Sequence, residues 1–224
     1  MLYSFEHNIN ELPKTIPLFP LNKVLLLPKA KLPLNLFENR YLHMFDHALA
    51  NDKIIGMIQP REKVMHNSEI KNPNLYEIGC AGRITAFSET NDNRYELILK
   101  GVCRFRLKKE KKVINGFRSA DVSWDEFKED YETLSLVSPK KRKDFESLMK
   151  IFLKKISISA DWEMVETTTD EDLVNMISMC CPFDVSEKQA LLEAKTLSKR
   201  LEILTSLMQM GINENNMATS GTPS

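Results

Sequence analysis

This 224-residue chain is poor in glycine and cysteine, has no excess of charge of either sign, and contains no long apolar run. Glycine contributes 7 residues, about 3% where soluble proteins average ~7%. With 42% hydrophobic and 28% charged residues, the composition is that of a globular protein, neither fibrous nor disordered. Lys and Arg (31) balance Asp and Glu (31), and the isoelectric point is about 6.9. General nucleic-acid binders carry a basic excess, with pI above ~9, so the charge argues against that class. No run of a dozen residues lacks a charge, whereas a bilayer span needs ~20 apolar residues. The N-terminus, Met1-Leu2-Tyr3-Ser4-Phe5-Glu6, has no basic region ahead of an apolar stretch and so reads as no secretory signal. A cytoplasmic location is expected. The four cysteines, Cys80, Cys103, Cys180 and Cys181, form no Cys-x-x-Cys zinc spacing. They read as buried small apolar side chains in a reducing compartment.

What is present changes period halfway along. The first half reads as short strands at 15–19, 24–27 and 32–36, punctuated by Pro17, Pro20, Pro28 and Pro33, which confine them to starts, edges and bulges. Residues 39–50 read as a helix, with Tyr41, Met44, Phe45, Ala48 and Leu49 on one face. A strand at 54–58 and a polar loop at 60–74 follow. The clearest hairpin pairs a strand around Cys80–Phe87 with one where Tyr95, Leu97 and Leu99 alternate with Glu96, Ile98 and Lys100, across a turn rich in Asn and Asp. A last strand is expected at 117–124. Many short strands with turns indicate a barrel or folded sheet.

The second half reads as helices. Ser138-Pro139 is a helix start, followed by the stripe Phe145, Leu148, Met149, Phe152, Ile156. Thr168 to Glu171 resembles a capping box ahead of Leu173, Met176, Ile177 and Cys180, and Pro182 stops that helix. Ser186 to Gln189 is read as a second box opening one long helix to about Met210, with Gly211 as its C-cap. The expected division is a β-rich domain at 1–130, a helical bundle at 131–211 and a disordered tail at 212–224.

Catalytic motifs are absent from the sequence. There is no Gly-Lys pair, hence no P-loop, and no Gly-x-Gly-x-x-Gly or Gly-x-Ser-x-Gly. His43 and His47, four apart on one helix face, have a spacing that could hold a metal, but a third ligand is missing. His7 and His66 fall in terminal and loop regions, so the pair reads as solvated. The basic runs Lys108–Lys112 and Lys140–Lys143 suit a solvated charged face better than an RNA or acidic-protein contact, since no aromatic residues interleave them. Glu38-Asn39-Arg40 opens the first helix. It reads either as a polar handle beside an apolar groove or as an ion pair orienting the helix start.

Five segments in order carry a resemblance. Pro17 to Pro28, Leu32 to Tyr41, Ile78 to Thr85 with Arg94 to Arg106, Leu173 to Phe183, and Glu187 to Leu204 together resemble the Lon protease N-terminal domain family, over about Thr15 to Met210. The resemblance implies an α+β fold: an N-terminal β-rich PUA-like pseudobarrel with one helix, followed by a small helical bundle. It also implies recognition of protein substrates for degradation. Full Lon proteases add an ATPase and a Ser-Lys peptidase, and neither a Walker motif nor a peptidase segment occurs in this sequence. The expectation is therefore a non-catalytic protein- or peptide-binding module, without cofactor or metal, acting as an adaptor or regulator in proteolysis or protein quality control. Its expected partners are unfolded or tagged protein substrates. A full-length Lon-type protease and a second copy of the chain are left open as further partners, and no membrane partner is expected. The residues expected at the binding surface are Phe37, Glu38, Asn39, Arg40 and Tyr41, where the family pattern turns from barrel strand into helix. An RNA-binding PUA-like module is the alternative, and a metal hydrolase built on His43 and His47 is the enzyme alternative.

Overall fold

A computed structural model describes residues 9–61, 73–92, 94–113, 115–131 and 138–218. Most of the expected polar loop, 62–72, lies outside the described residues. The chain forms two compact units, Met1–Thr133 with Pro182–Leu192, and Leu134–Cys181 with Glu193–Ser224.

The first unit is built on six strands: β1 (Thr15–Pro20), β2 (Lys31–Leu36), β3 (Ile54–Ile58), β4 (Ile78–Glu89), β5 (Tyr95–Glu110) and β6 (Arg118–Ser123). They run in the order β2-β5-β4-β3-β1-β6, and β6 also pairs with β5, closing a barrel. The pairing is antiparallel except between β1 and β3. The length of β5 makes this possible. Its first part, Tyr95 to Lys100, pairs with β2, and its last part, Arg106 to Glu110, pairs with β6. Register shifts in the β4–β5 ladder at Ala81/Gly82 and Ile84/Ala86 bend the hairpin between the two pairings. Ile16, Leu18, Ile54, Ile58, Ala81, Phe105, Ala120 and Val122 fill the barrel. Helix α1 (Asn39–Ala50) buries Tyr41, Met44, Phe45 and Ala48, the face its periodicity indicated.

The strand expected at 24–27 does not form. Leu25, Leu26 and Leu27 are buried in irregular backbone instead. The reason is a crossing. The 27–30 segment lies against β5, with the Lys29 N–H on Gly101 O (2.8 Å) and the Gly101 N–H on Ala30 O (2.8 Å). A Cβ on Gly101 would stand 2.0 Å from Leu27 O. Only glycine permits that approach, and the segment bonds locally rather than extending a ladder.

Helix α5 (Val185–Glu193) returns to the first unit. Gln59 donates to Val185 O and Gln189 Oε1 (both 3.1 Å), and Gln189 donates to Ile78 O (3.0 Å). The capping residue is Asp184, whose N–H bonds the Glu187 carboxylate (2.7 Å), two residues ahead of the expected box. The single long helix expected from Ser186 is thus two, with a break at 194–196. Thr196 caps the second, accepting the Lys199 N–H (3.1 Å).

The second unit holds α2 (Pro139–Lys155), α3 (Trp162–Thr167), α4 (Asp170–Cys180) and α6 (Leu197–Ala218). Ser138 caps α2 as its sequence indicated, whereas α4 is capped by Thr169, one residue after the Thr168 of the expected box. The short α3 had no periodic signal to reveal it. Arg142, from the second basic run, pairs with Glu146 and Asp170 and donates to Val165 O. On α4 the buried stripe is Leu173, Val174 and Ile177, completed by Cys181. Cys180 is exposed, against the expectation that all four cysteines are buried. Gly211 is no C-cap: α6 continues through it to Ala218. Its place is explained by packing, since a Cβ there would stand 2.9 Å from the Phe152 ring. Residues 212–218 of the expected tail are therefore helical, and 219–224 lie outside the described residues. Among the described residues no helix is long and apolar enough to cross a membrane.

Candidate functional site

The five residues singled out at 37–41 lie where β2 hands over to α1. Phe37 is 61% exposed, with the Arg94 guanidinium 5.9 Å from its ring centroid. Glu38 occupies the N-cap of α1 without a side-chain cap. Its carboxylate instead accepts Arg40 Nε (2.9 Å) and Nη2 (2.8 Å). Asn39 is exposed at the first helical position. The Arg40 guanidinium stacks 4.5 Å from the Tyr41 ring. Tyr41 packs against Phe19 and donates to Pro20 O at 3.5 Å. Burial pushes the Tyr41 phenol above its ordinary range, opposed by the Arg40 charge. Arg40 and Tyr41 line a cavity of about 360 Å³ with Pro20, Val113, Gly116, Phe117 and Arg118. Phe37, Glu38 and Asn39 are outside that lining. Arg118 is itself held by the Glu110 carboxylate (2.6 Å). The cations of this cavity are thus neutralised by the protein's own carboxylates, so its chemistry is that of a locked helix start.

His43 and His47 are both exposed. His43 Nδ1 lies 3.1 Å from Asn115 O, and His47 packs near Phe117. Among the described residues no three His, Cys, Asp or Glu are grouped to hold a metal. His7 and His66 lie outside the described residues.

A second surface, absent from the expectations, is larger. Along the stretch of β5 that pairs with β2 and β4, the sheet carries a shallow concavity of about 530 Å³. The registers place residues on it in cross-strand rows, since residues directly opposite one another share a face. Pro33, Ile98 and Ala86 form one row, and Asn35, Glu96 and Ser88 the next. All six are exposed. On the opposite face Leu36, Leu97 and Leu99 are buried, and Phe87 meets Phe45 of α1 edge-on at 5.3 Å. This is an outward sheet face with an apolar centre. The signal for it is in the sequence: Ile98 interrupts the polar positions of an otherwise regular alternation.

A buried polar cluster secures the scaffold. Arg104 and Asp130 are each 4% exposed in their side chains and pair at 2.7–3.1 Å. Arg104 also donates to Leu192 O (3.0 Å) and lies 4.7 Å from the Phe127 ring. It holds both the 3-10 segment Asp125–Tyr131 and the end of α5 on β5. Burial first, and the Asp130 carboxylate second, push the neighbouring Cys103 thiol far above its ordinary range. That sulfur is no nucleophile at neutral pH.

A closed barrel with a flared hairpin and a concave outward sheet face defines a class, and comparison with known proteins says which. The family model of the ATP-dependent protease La (LON) substrate-binding domain matches residues 15–210. The chain belongs to that family. Its relatives include the Lon protease of Desulfosudis oleivorans, 26% identical over 210 residues, which span 91% of this chain and 25% of that protein. The Lon protease of Buchnera aphidicola subsp. Baizongia pistaciae is 26% identical over 204 residues, 88% of this chain and 25% of that protein. The chain thus spans about a quarter of the length of the curated relatives it matches. Two solved structures share the fold. The Lon N-terminal domain protein from Xanthomonas campestris has a TM-score of 0.60 at 24% identity, covering 86% of this chain and 97% of that one. The N-terminal domain of a Mycobacterium avium complex Lon protease has a TM-score of 0.63 at 14% identity, covering 88% and 98%. The α+β reading and the family resemblance both hold. The matched region of the family is the substrate-binding domain, which is not catalytic.

Proposed function

We propose that the chain is a non-catalytic module that binds exposed apolar segments of unfolded or tagged proteins, serving as an adaptor or regulator in cytoplasmic proteolysis or protein quality control. The observation that carries this reading is the outward face of β2, β5 and β4. An isoleucine, a proline and an alanine stand side by side and solvent-exposed at the centre of a concave sheet, a concavity in which apolar side chains of a partner can be seated. Pro33 lies in β2, at the sheet edge, where it removes a ladder donor. The face, more than strand addition at that edge, is therefore the binding element. The 37–41 segment directly follows β2 and so borders this surface.

The test is binding of the purified chain to a chemically denatured reporter protein and to the same reporter folded. Preferential binding of the denatured form is expected, with loss on Ile98→Ser. Equal or absent binding of the two forms refutes the reading. The arginines argue against the RNA alternative, since Arg40, Arg61, Arg94, Arg104, Arg106 and Arg118 each hold a carboxylate.

A further inference from the structure

One row of the same face has a different chemistry. Next to Pro33, Ile98 and Ala86, the registers set Lys31 opposite Lys100 and Lys100 opposite Arg83. Three cations thus line up across three neighbouring strands, and like charges directly opposite one another are destabilising. Among the described residues none of the three has an ion pair. Arg83 is half-buried, with a long contact (3.4 Å) to the backbone oxygen of Asp52, and the Tyr131 phenol and the Asp52 carboxylate lie within its electrostatic reach without forming an ion pair. The contrast with its own unit is informative. The other six arginines of the first unit are each neutralised by an Asp or Glu. Among the described residues this row sets three cations side by side without a salt bridge, at the rim of an exposed apolar patch.

We infer that this face takes an extended polypeptide segment combining acidic and apolar residues, with carboxylates over Lys31, Lys100 and Arg83 and apolar side chains on Pro33, Ile98 and Ala86. The inference rests on the proposed substrate-binding role and narrows its substrate class. The basic and apolar rows lie two residues apart on β2 and β5, about 7 Å, and three apart on β4, where the register shift between Ile84 and Ala86 adds a residue, so a carboxylate two residues from an apolar side chain in an extended segment meets Lys31 or Lys100 and the apolar row at once. Glu96, in the row beyond the apolar one, repels a second acidic residue there and so gives the bound segment a direction. The three rows contain no aromatic side chain on which a base could stack, and Glu96 repels phosphate. Both features favour a peptide over a nucleic acid.

The experiment uses the full chain and fluorescent peptides of about ten residues, long enough to cross all three rows. One peptide interleaves Glu with Leu and Val, and the other carries Lys in place of every Glu. Binding is read by anisotropy. The acidic peptide is expected to bind about tenfold more tightly, the sum of three modest exposed charge pairs. The gap should narrow in about 0.5 M salt, where screening shortens to a few ångströms. Lys31→Glu with Lys100→Glu should reverse the preference, and Lys31→Gln with Lys100→Gln should cut it to about the twofold that Arg83 alone supplies, giving two independent variants at exposed positions. Equal affinity for the two peptides, or a preference unmoved by either double variant, overturns the inference. Tighter binding of a single-stranded RNA through Lys31 and Lys100 also overturns it. The denatured reporter separates the two levels. If the reporter binds but the peptides show no charge preference, this inference fails and the general role stands. If the reporter does not bind, the general role fails and takes the inference with it.

Discussion

Replacing Arg104 with methionine removes the guanidinium and leaves Asp130 buried, with a single surviving contact, the backbone N–H of residue 104 (2.8 Å). Three of the four bonds to that carboxylate vanish, as does the bond to Leu192 O. Breaking one side of a buried pair costs ~3–5 kcal/mol, a large part of the ~5–15 kcal/mol that holds a domain folded. Asp130→Ala should cost a similar amount, since it leaves a guanidinium buried without its anion. The double variant Arg104→Met/Asp130→Leu removes both charges and should cost well under the sum. A coupling of ~3 kcal/mol in the double-mutant cycle is expected. Denaturant unfolding of the full chain provides the assay. The two tryptophans fall in different units, Trp124 in the first and Trp162 in the second, so a Trp162→Phe background makes fluorescence report the first unit alone. Amide exchange should show lost protection at 125–131 and at 185–192 together, because Arg104 holds both. A cost below ~1 kcal/mol for Arg104→Met, or additive single effects, refutes the reasoning.

Further outcomes follow from other parts of the structure. Gly101→Ala places a methyl 2.0 Å from Leu27 O, where only backbone can move, and should cost at least the ~1–3 kcal/mol typical of overpacking, read as a lowered unfolding midpoint. Under native conditions one thiol per chain should react rapidly with a disulfide reagent, namely exposed Cys180; Cys180→Ser should abolish the fast phase, while Cys80, Cys103 and Cys181 react only on unfolding. Lys31→Glu turns a repelling cross-strand pair with Lys100 into an attractive one and should raise stability by a few tenths of a kcal/mol, a gain lost in high salt. A fall in stability with that substitution would contradict the register on which the basic row depends.

Local patterns in the sequence carried most of the elements. Helix α1 follows from periodicity, strand β3 from a short apolar run, and the cap Ser138 from residue type, while the cap of α4 fell one residue beyond the expected Thr168. Failures came where a distant contact overrode local preference. The β-branched and apolar run Val24-Leu25-Leu26-Leu27 yielded to the crossing over Gly101. A continuous helical stripe from Ala190 to Met208 concealed the break at 194–196, because α5 is held to the first unit by Gln59 and Arg104, residues far away in sequence. Gly211 looked like a stop signal and proved to be a packing contact with Phe152. At the candidate site, Glu38 and Arg40 were visible as charges in an apolar segment, and the structure shows them paired with each other. The concave face was missed because Pro33, Ala86 and Ile98 come from three strands, and no local window contains all of them.

Residue order and composition were enough to establish the family, the change from strands to helices, and the lack of any motif for nucleotide hydrolysis or serine-hydrolase chemistry. The folded chain was needed to show which apolar residues stand outside, which cations line up across strands, and where α5 belongs. The physical reason is that burial and charge compensation depend on strand register and on long-range hydrogen bonds. One residue of register shift exchanges the two faces of a strand, and composition cannot specify that choice.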